Sequence, residues 1–216
     1  MPKISLTHLS AALALAVSMQ AHADSVSFSR FANGSESVNF TLTTPNVGTS
    51  GSASAGGFAT VLNGGPSFET YCVDVYQHIT FGDPPYTDYS APGTSHVFAN
   101  GNAYADLGRL YATAGVVNNA VSEAAFQIAV WEIAYEATGP YNLTSGSAVF
   151  SGSSGAMDLA STWLTNLTTG AYPSIEVLES DGHQDVIYAP VPEPETYALF
   201  MAGLAAMGFV ARRRRA

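Results

Sequence analysis

Along the chain the spacing of apolar residues shifts from the alternation of strands to the three-and-four spacing of helices, then back again. Val26 and Phe28, then Val38, Phe40 and Leu42, alternate with polar residues and predict two half-buried strands joined near Asn33-Gly34. Residues 46–57 are rich in Gly, Ser and Ala and read as a loop. A short strand is expected over 58–62, ended by the turn Asn63-Gly64-Gly65-Pro66. Residues 68–81 are dense in Tyr, Val, Ile, Thr and Phe and predict one long strand. One face would carry Tyr71, Val73, Val75, Ile79 and Phe81; the other would carry Cys72, Asp74, Tyr76 and His78. Residues 86–101 read as irregular.

Helical spacing follows. Leu107, Leu110 and Tyr111 predict a helix over 102–114, with Gly115 placed to stop it. Ser122 can cap a second helix running to about residue 137, closed by Gly139-Pro140. Leu159, Trp163 and Leu167 predict a third over 156–167, and 174–178 with 185–188 read as a closing hairpin. The fold class is α+β: a β-sandwich or sheet core with a small helical insertion.

The two ends are addresses rather than structure. Lys3, an apolar stretch over 9–19 and the small-x-small site Ala21-His22-Ala23 form a secretory signal peptide over 1–23, cut to leave Asp24 first. At the other end Pro192-Glu193-Pro194 precedes an apolar run over 197–211 and four arginines, Arg212 to Arg215. That run is shorter than the roughly 20 residues of an ordinary span. The arginines would hold it on the cytoplasmic side. Residues 192–216 resemble the PEP-CTERM sorting signal. The resemblance implies export machinery and an exosortase-type processing enzyme as partners. It also implies a transmembrane helix that anchors the chain transiently, then release to the cell surface or extracellular matrix. A single domain is expected over 24–191.

Charge narrows the partners. Of the 17 acidic residues 15 lie in 24–191, against two basic ones, Arg30 and Arg109, a balance near −13. Such a surface repels phosphate backbones, which argues against nucleic-acid binding. Once the signal peptide leaves, the chain has no lysine, so a lysine–Asn crosslink is excluded.

Cys72 is the one cysteine of an exported chain. It can pair between chains, remain an inert buried thiol, react with a cofactor, or bond to something other than sulfur. Gln127 is the second anomaly: helical geometry puts it on the same side as Val130, Trp131 and Ala134, with Glu132 and Glu136 turned towards water. A buried amide needs partners. They are either backbone groups of the sheet or a covalent bond from the Cys72 sulfur to the Gln127 side-chain carbonyl, with loss of ammonia. A cysteine-protease arrangement would need a histidine beside Cys72, and no local signature accompanies His78, His96 or His183. The histidines show no metal-ligand spacing with nearby acids, so neither metal nor cofactor is expected.

Tyr71-Cys72-Val73 and Phe126-Gln127-Ile128-Ala129-Val130-Trp131 resemble the two halves of the bacterial Cys-Gln internal-thioester domain of surface adhesins. The resemblance implies a Cys72–Gln127 crosslink that captures an amine or hydroxyl of a partner once, without enzymatic turnover. Tyr71 and Trp131 would shield the bond and Asp74 would help to move a proton. The alternative is a non-reactive structural component of an exopolysaccharide or biofilm matrix, held without covalent bonds.

Overall fold

The computed structural model describes residues 24–43, 49–82, 84–90, 92–190, 201–204 and 207. The fold is α+β with two antiparallel sheets. The larger sheet has the strand order β6-β1-β4-β5-β9-β8, from β1 (Asp24–Phe31), β4 (Phe58–Leu62), β5 (Ser67–Cys72), β6 (Tyr86–Tyr89), β8 (Glu176–Leu178) and β9 (Val186–Tyr188). The smaller has the order β3-β2-β7, from β2 (Glu36–Leu42), β3 (Thr49–Ala55) and β7 (Ala148–Ser151). The helices α1 (Ala103–Ala114), α2 (Ala120–Tyr135) and α3 (Ser154–Thr165) fill the middle of the chain.

The alternating residues of β1 and β2 are buried as their period requires, Val26 and Phe28 in one strand and Val38, Phe40 and Leu42 in the other. The two strands do not pair with each other: β1 joins β4 and β6, and β2 joins β3 and β7. The Asn33-Gly34 connection therefore carries the chain between sheets, with Gly34 at a positive φ of 103°.

Four expectations are corrected. Residues 49–55, expected as loop, form β3; their small side chains carry little strand preference, and the ladder to β2 holds them. Hydroxyl pairs Ser37–Ser52 at 3.1 Å and Thr41–Ser50 at 2.9 Å cross that ladder. Gly51 is required there, because a Cβ would meet the Phe40 ring at 2.8 Å. The long strand stops at Cys72, because the Asp74 carboxylate accepts the N–H groups of Tyr76 at 2.9 Å and Gln77 at 3.2 Å and turns the chain. Residues 86–89, expected as irregular, form the edge strand β6. Glu132, expected in water, is fully buried.

That last correction follows from the place of α2. It touches β5 of the larger sheet and β2, β3 and β7 of the smaller one, with α1 and α3 packed along it. All residues from Ser122 to Tyr135 are buried, so the helix is covered on every side. Its cap is Asn119, whose side chain accepts from Ser122 N while the Ser122 hydroxyl returns the bond, a reciprocal capping box. The closing hairpin of β8 and β9 forms as the alternation predicts.

Among the described residues no helix is long and apolar enough to cross a membrane, so the expected C-terminal transmembrane helix is not seen there. The signal segment 1–23 and the motif Pro192, Glu193 and Pro194 lie outside the described residues.

Candidate functional site

The last two residues of β5 meet one face of α2. Tyr71 and Cys72 are held from the other side by β9, opposite Ile187 and Val186. Glu123, Gln127 and Trp131 recur every four residues on α2 and so stack along one stripe.

At the centre of the stripe Gln127 binds Cys72. Its Oε1 accepts the Cys72 N–H at 3.0 Å, and its Nε2 donates to the Cys72 carbonyl at 2.7 Å. Cys72 and Gln127 are each only 1% exposed. The strand ends at Cys72, so Gln127 supplies the pairing that a further sheet neighbour would otherwise give.

The Cys72 thiol donates to the Asp74 carbonyl at 2.8 Å. Burial pushes the thiol well above its ordinary range; the polar N–H of Trp131 pulls against that shift, and the charges of Asp74 and Asp185 add to it. The Trp131 Nε1–H is buried and makes no hydrogen bond of ordinary geometry. The indole stacks on Phe150, with centroids 6.2 Å apart and planes at 15°. The sulfur thus shares the β5–α2 interface with the Gln127 amide. Cys72 in this state is a neutral, sheltered thiol rather than a free nucleophile.

Asp74 contributes its carbonyl to the thiol, while its carboxylate is committed to the turn. Tyr71 is buried with its ring 4.4 Å from that of Phe126. Its hydroxyl belongs to a carboxyl cluster, 3.0 Å from both Glu69 Oε1 and Glu123 Oε2. Glu123 also accepts from Gly57 N at 3.1 Å and from Asn33 Nδ2. Burial pushes Glu69 up to about 8, helped by its hydrogen bond to Glu123 and by the charge of Glu123. Two carboxyls in contact cannot both ionise cheaply, which is why the Glu123 charge disfavours ionisation of Glu69. A Cβ at Gly57 would lie 2.8 Å from Glu123 Oε2, so glycine is needed to let the pair close.

Further along α2, Glu132 accepts from Asn142 N at 2.7 Å, and burial raises its carboxyl to about 7 against that bond, with the Glu136 charge adding to the rise. Neither acid cluster has a local sequence signature.

Among the described histidines, His96 and His183 are engaged with carboxylates. His183 pairs with Asp88 at 2.9 Å, and His78 is exposed. His96 stands with Glu179 and Asp185, their donor atoms all within 4.8 Å of one another. Local spacing did not reveal this last group, because 83 residues separate His96 from Glu179.

Residues 190–215 match the family model of the PEP-CTERM protein-sorting motif. The motif marks an exported protein handled by exosortase-type sorting machinery. Comparison with curated proteins and with solved structures gives no match.

Proposed function

We propose that this exported protein is a single-use covalent adhesin of the cell surface or extracellular matrix, armed by a thioester between Cys72 and Gln127. The observation that carries the reading is the Gln127 carboxamide held against Cys72 by two hydrogen bonds in a dry interface. The Cys72 N–H already sits on Oε1, where negative charge develops when the carbonyl is attacked. In the bond-forming step Cys72 Sγ attacks Gln127 Cδ and the C–Nε2 bond breaks. The thiol proton leaves with Nε2 as ammonia. In the capture step a partner amine or hydroxyl displaces the sulfur, which takes back a proton as a free thiol. The partner stays joined to residue 127 by an amide or ester.

One ammonia lost per chain is the mark of the first step. Intact mass of the exported protein should fall short of its sequence by that amount. Methylamine should abolish the deficit and free the Cys72 thiol for alkylation. Cys72→Ala and Gln127→Ala should each remove the deficit. A full mass in freshly exported protein, with a titratable thiol, removes the mechanism.

The second reading is a matrix component held without covalent bonds. Its support is that the Gln127 oxygen and nitrogen are each paired with backbone and the thiol is bonded to Asp74, which an inert core also achieves. The same mass measurement separates the two.

A further inference from the structure

His96, Glu179 and Asp185 come from distant parts of the chain and converge beside the end of β5. His96 precedes α1, Glu179 directly follows β8 and Asp185 directly precedes β9. His96 Nδ1 lies 2.7 Å from Glu179 Oε1 and 3.6 Å from Asp185 Oδ2. We propose that these three side chains bind a divalent transition-metal ion, zinc or manganese, at a site with open positions for water or a ligand.

The donor set suits those ions. One imidazole nitrogen and two carboxylate oxygens form a three-ligand site of the kind that leaves coordination positions free. The donors are also oriented. Asp185 Oδ1 is occupied by the Ser180 N–H at 2.8 Å, which leaves Oδ2 turned to His96. The His96 ring is set edge-on to Phe98, with centroids 4.4 Å apart. Such outer contacts are what fix metal ligands in place.

Charge is the independent argument for a cation. Two carboxylates face one imidazole, and the Asp74 charge acts on the same group. Between residues 24 and 191 the only arginines or lysines are Arg30 and Arg109. Arg30 is spent on the carbonyls of Phe31 and Ala32, and Arg109 pairs with Asp106. Among the described residues no arginine or lysine is left to neutralise these carboxylates, so His96 is the one basic group of the cluster, and a dication supplies what is missing.

The site is reachable. The side chains of His96, Glu179 and Asp185 are 19%, 37% and 15% exposed. His96 and Asp185 line a cleft of about 550 Å³ together with Asp74, Tyr76 and Tyr135. The Asp185 carbonyl also receives the Val73 N–H at 3.0 Å, so the ion would tie the segment before α1 to the hairpin beside Cys72. The proposal does not depend on the thioester.

The test is titration of the purified full chain with zinc and with manganese, followed by calorimetry and native mass. It is run in the Cys72→Ala background, so that the thiol cannot serve as a ligand. One ion per chain should bind, and the thermal midpoint should rise with metal. His96→Gln and Asp185→Asn should each weaken binding about tenfold or more, while His78→Gln, at an exposed histidine outside the cluster, leaves it unchanged. Glu179→Gln, at the most exposed ligand, gives the same readout where either of the other two variants folds poorly. Absence of binding by both metals overturns the proposal, as does undiminished binding in the ligand variants.

Discussion

The carboxamide of Gln127 occupies both backbone hydrogen-bonding groups of Cys72, accepting the N–H at 3.0 Å and donating to the C=O at 2.7 Å. One side chain from α2 thereby completes the end of a strand. As long as its amide is intact, Gln127 therefore has a structural task that the Cys72 side chain does not share.

The two single variants should differ for that reason. Cys72→Ala and Gln127→Ala both remove any crosslink, so the crosslink cancels when they are compared. Only Gln127→Ala leaves a buried N–H and C=O unpaired, at about 1–3 kcal/mol for each group. Gln127→Ala should be the less stable by about 1–3 kcal/mol or more in chemical denaturation. Equal stability would mean that water or another group repairs the strand end.

Much of this arrangement was legible in the sequence, and the gaps have physical causes. Cys72 and Gln127 each stood out alone, one as an unpaired thiol outside the cytoplasm and the other as an amide on an apolar helix face. Their meeting across 55 residues follows from β5 packing on α2. The strand through residue 81 failed because strand propensity is averaged over a window, whereas the Asp74 turn is a single local event. Glu132 was placed in water by a pattern that assumes one wet face; α2 has none, because sheets and helices cover it on every side. No window-based reading joins His96 to Asp185, since only the tertiary fold brings β9 beside the segment before α1.

The buried acids set the pH response. Burial raises Glu69 to about 8, Glu132 to about 7 and Asp185 to about 6. Each folded-state value lies above the ordinary carboxyl range, so between the two the folded chain holds protons that the unfolded chain has released. Stability must then fall as pH rises through that window, and level off above about 8. Asp88, held low by its bond from Ser180, acts in the opposite sense and only at more acidic pH. Denaturation midpoints should be highest near about pH 5 and decline towards pH 8. Glu69→Gln mimics the protonated acid, so it should flatten the decline and exceed the parent in stability above about pH 8 while matching it near about pH 5. A midpoint that climbs from acid to neutral pH would contradict the upward shift of these buried carboxyls.

The sorting motif offers a cellular test. Replacing Pro192, Glu193 and Pro194 together should leave the folded domain intact but retain the precursor in the membrane fraction, because the sorting machinery no longer recognises its tail. Replacing Arg212 to Arg215 with neutral residues should also impair retention of the end at the cytoplasmic face. Fractionation with an antibody against the domain reads both. Release of the first variant at the parental rate would show that export from the membrane does not use this motif.

Trp131 separates a reactive site from a merely buried one. Its indole ring fills the core against Phe150, while its buried N–H, without a hydrogen bond of ordinary geometry, counters the burial shift of the Cys72 thiol. Trp131→Phe keeps an aromatic ring in the stack and deletes the donor. In an inert core that exchange should cost little beyond the lost volume, on the order of 1–3 kcal/mol. In a thioester site it should do more. The N–H favours the thiolate, which is both the form that attacks Gln127 and the leaving group when a partner amine arrives. The variant should therefore fold, yet show a smaller or slower loss of ammonia by intact mass and a slower release of thiol with methylamine. Melting temperature and mass deficit would then respond separately, which a packing role alone does not produce. If Trp131→Phe forms and opens the bond at the parental rate, the indole serves only to pack and to exclude water.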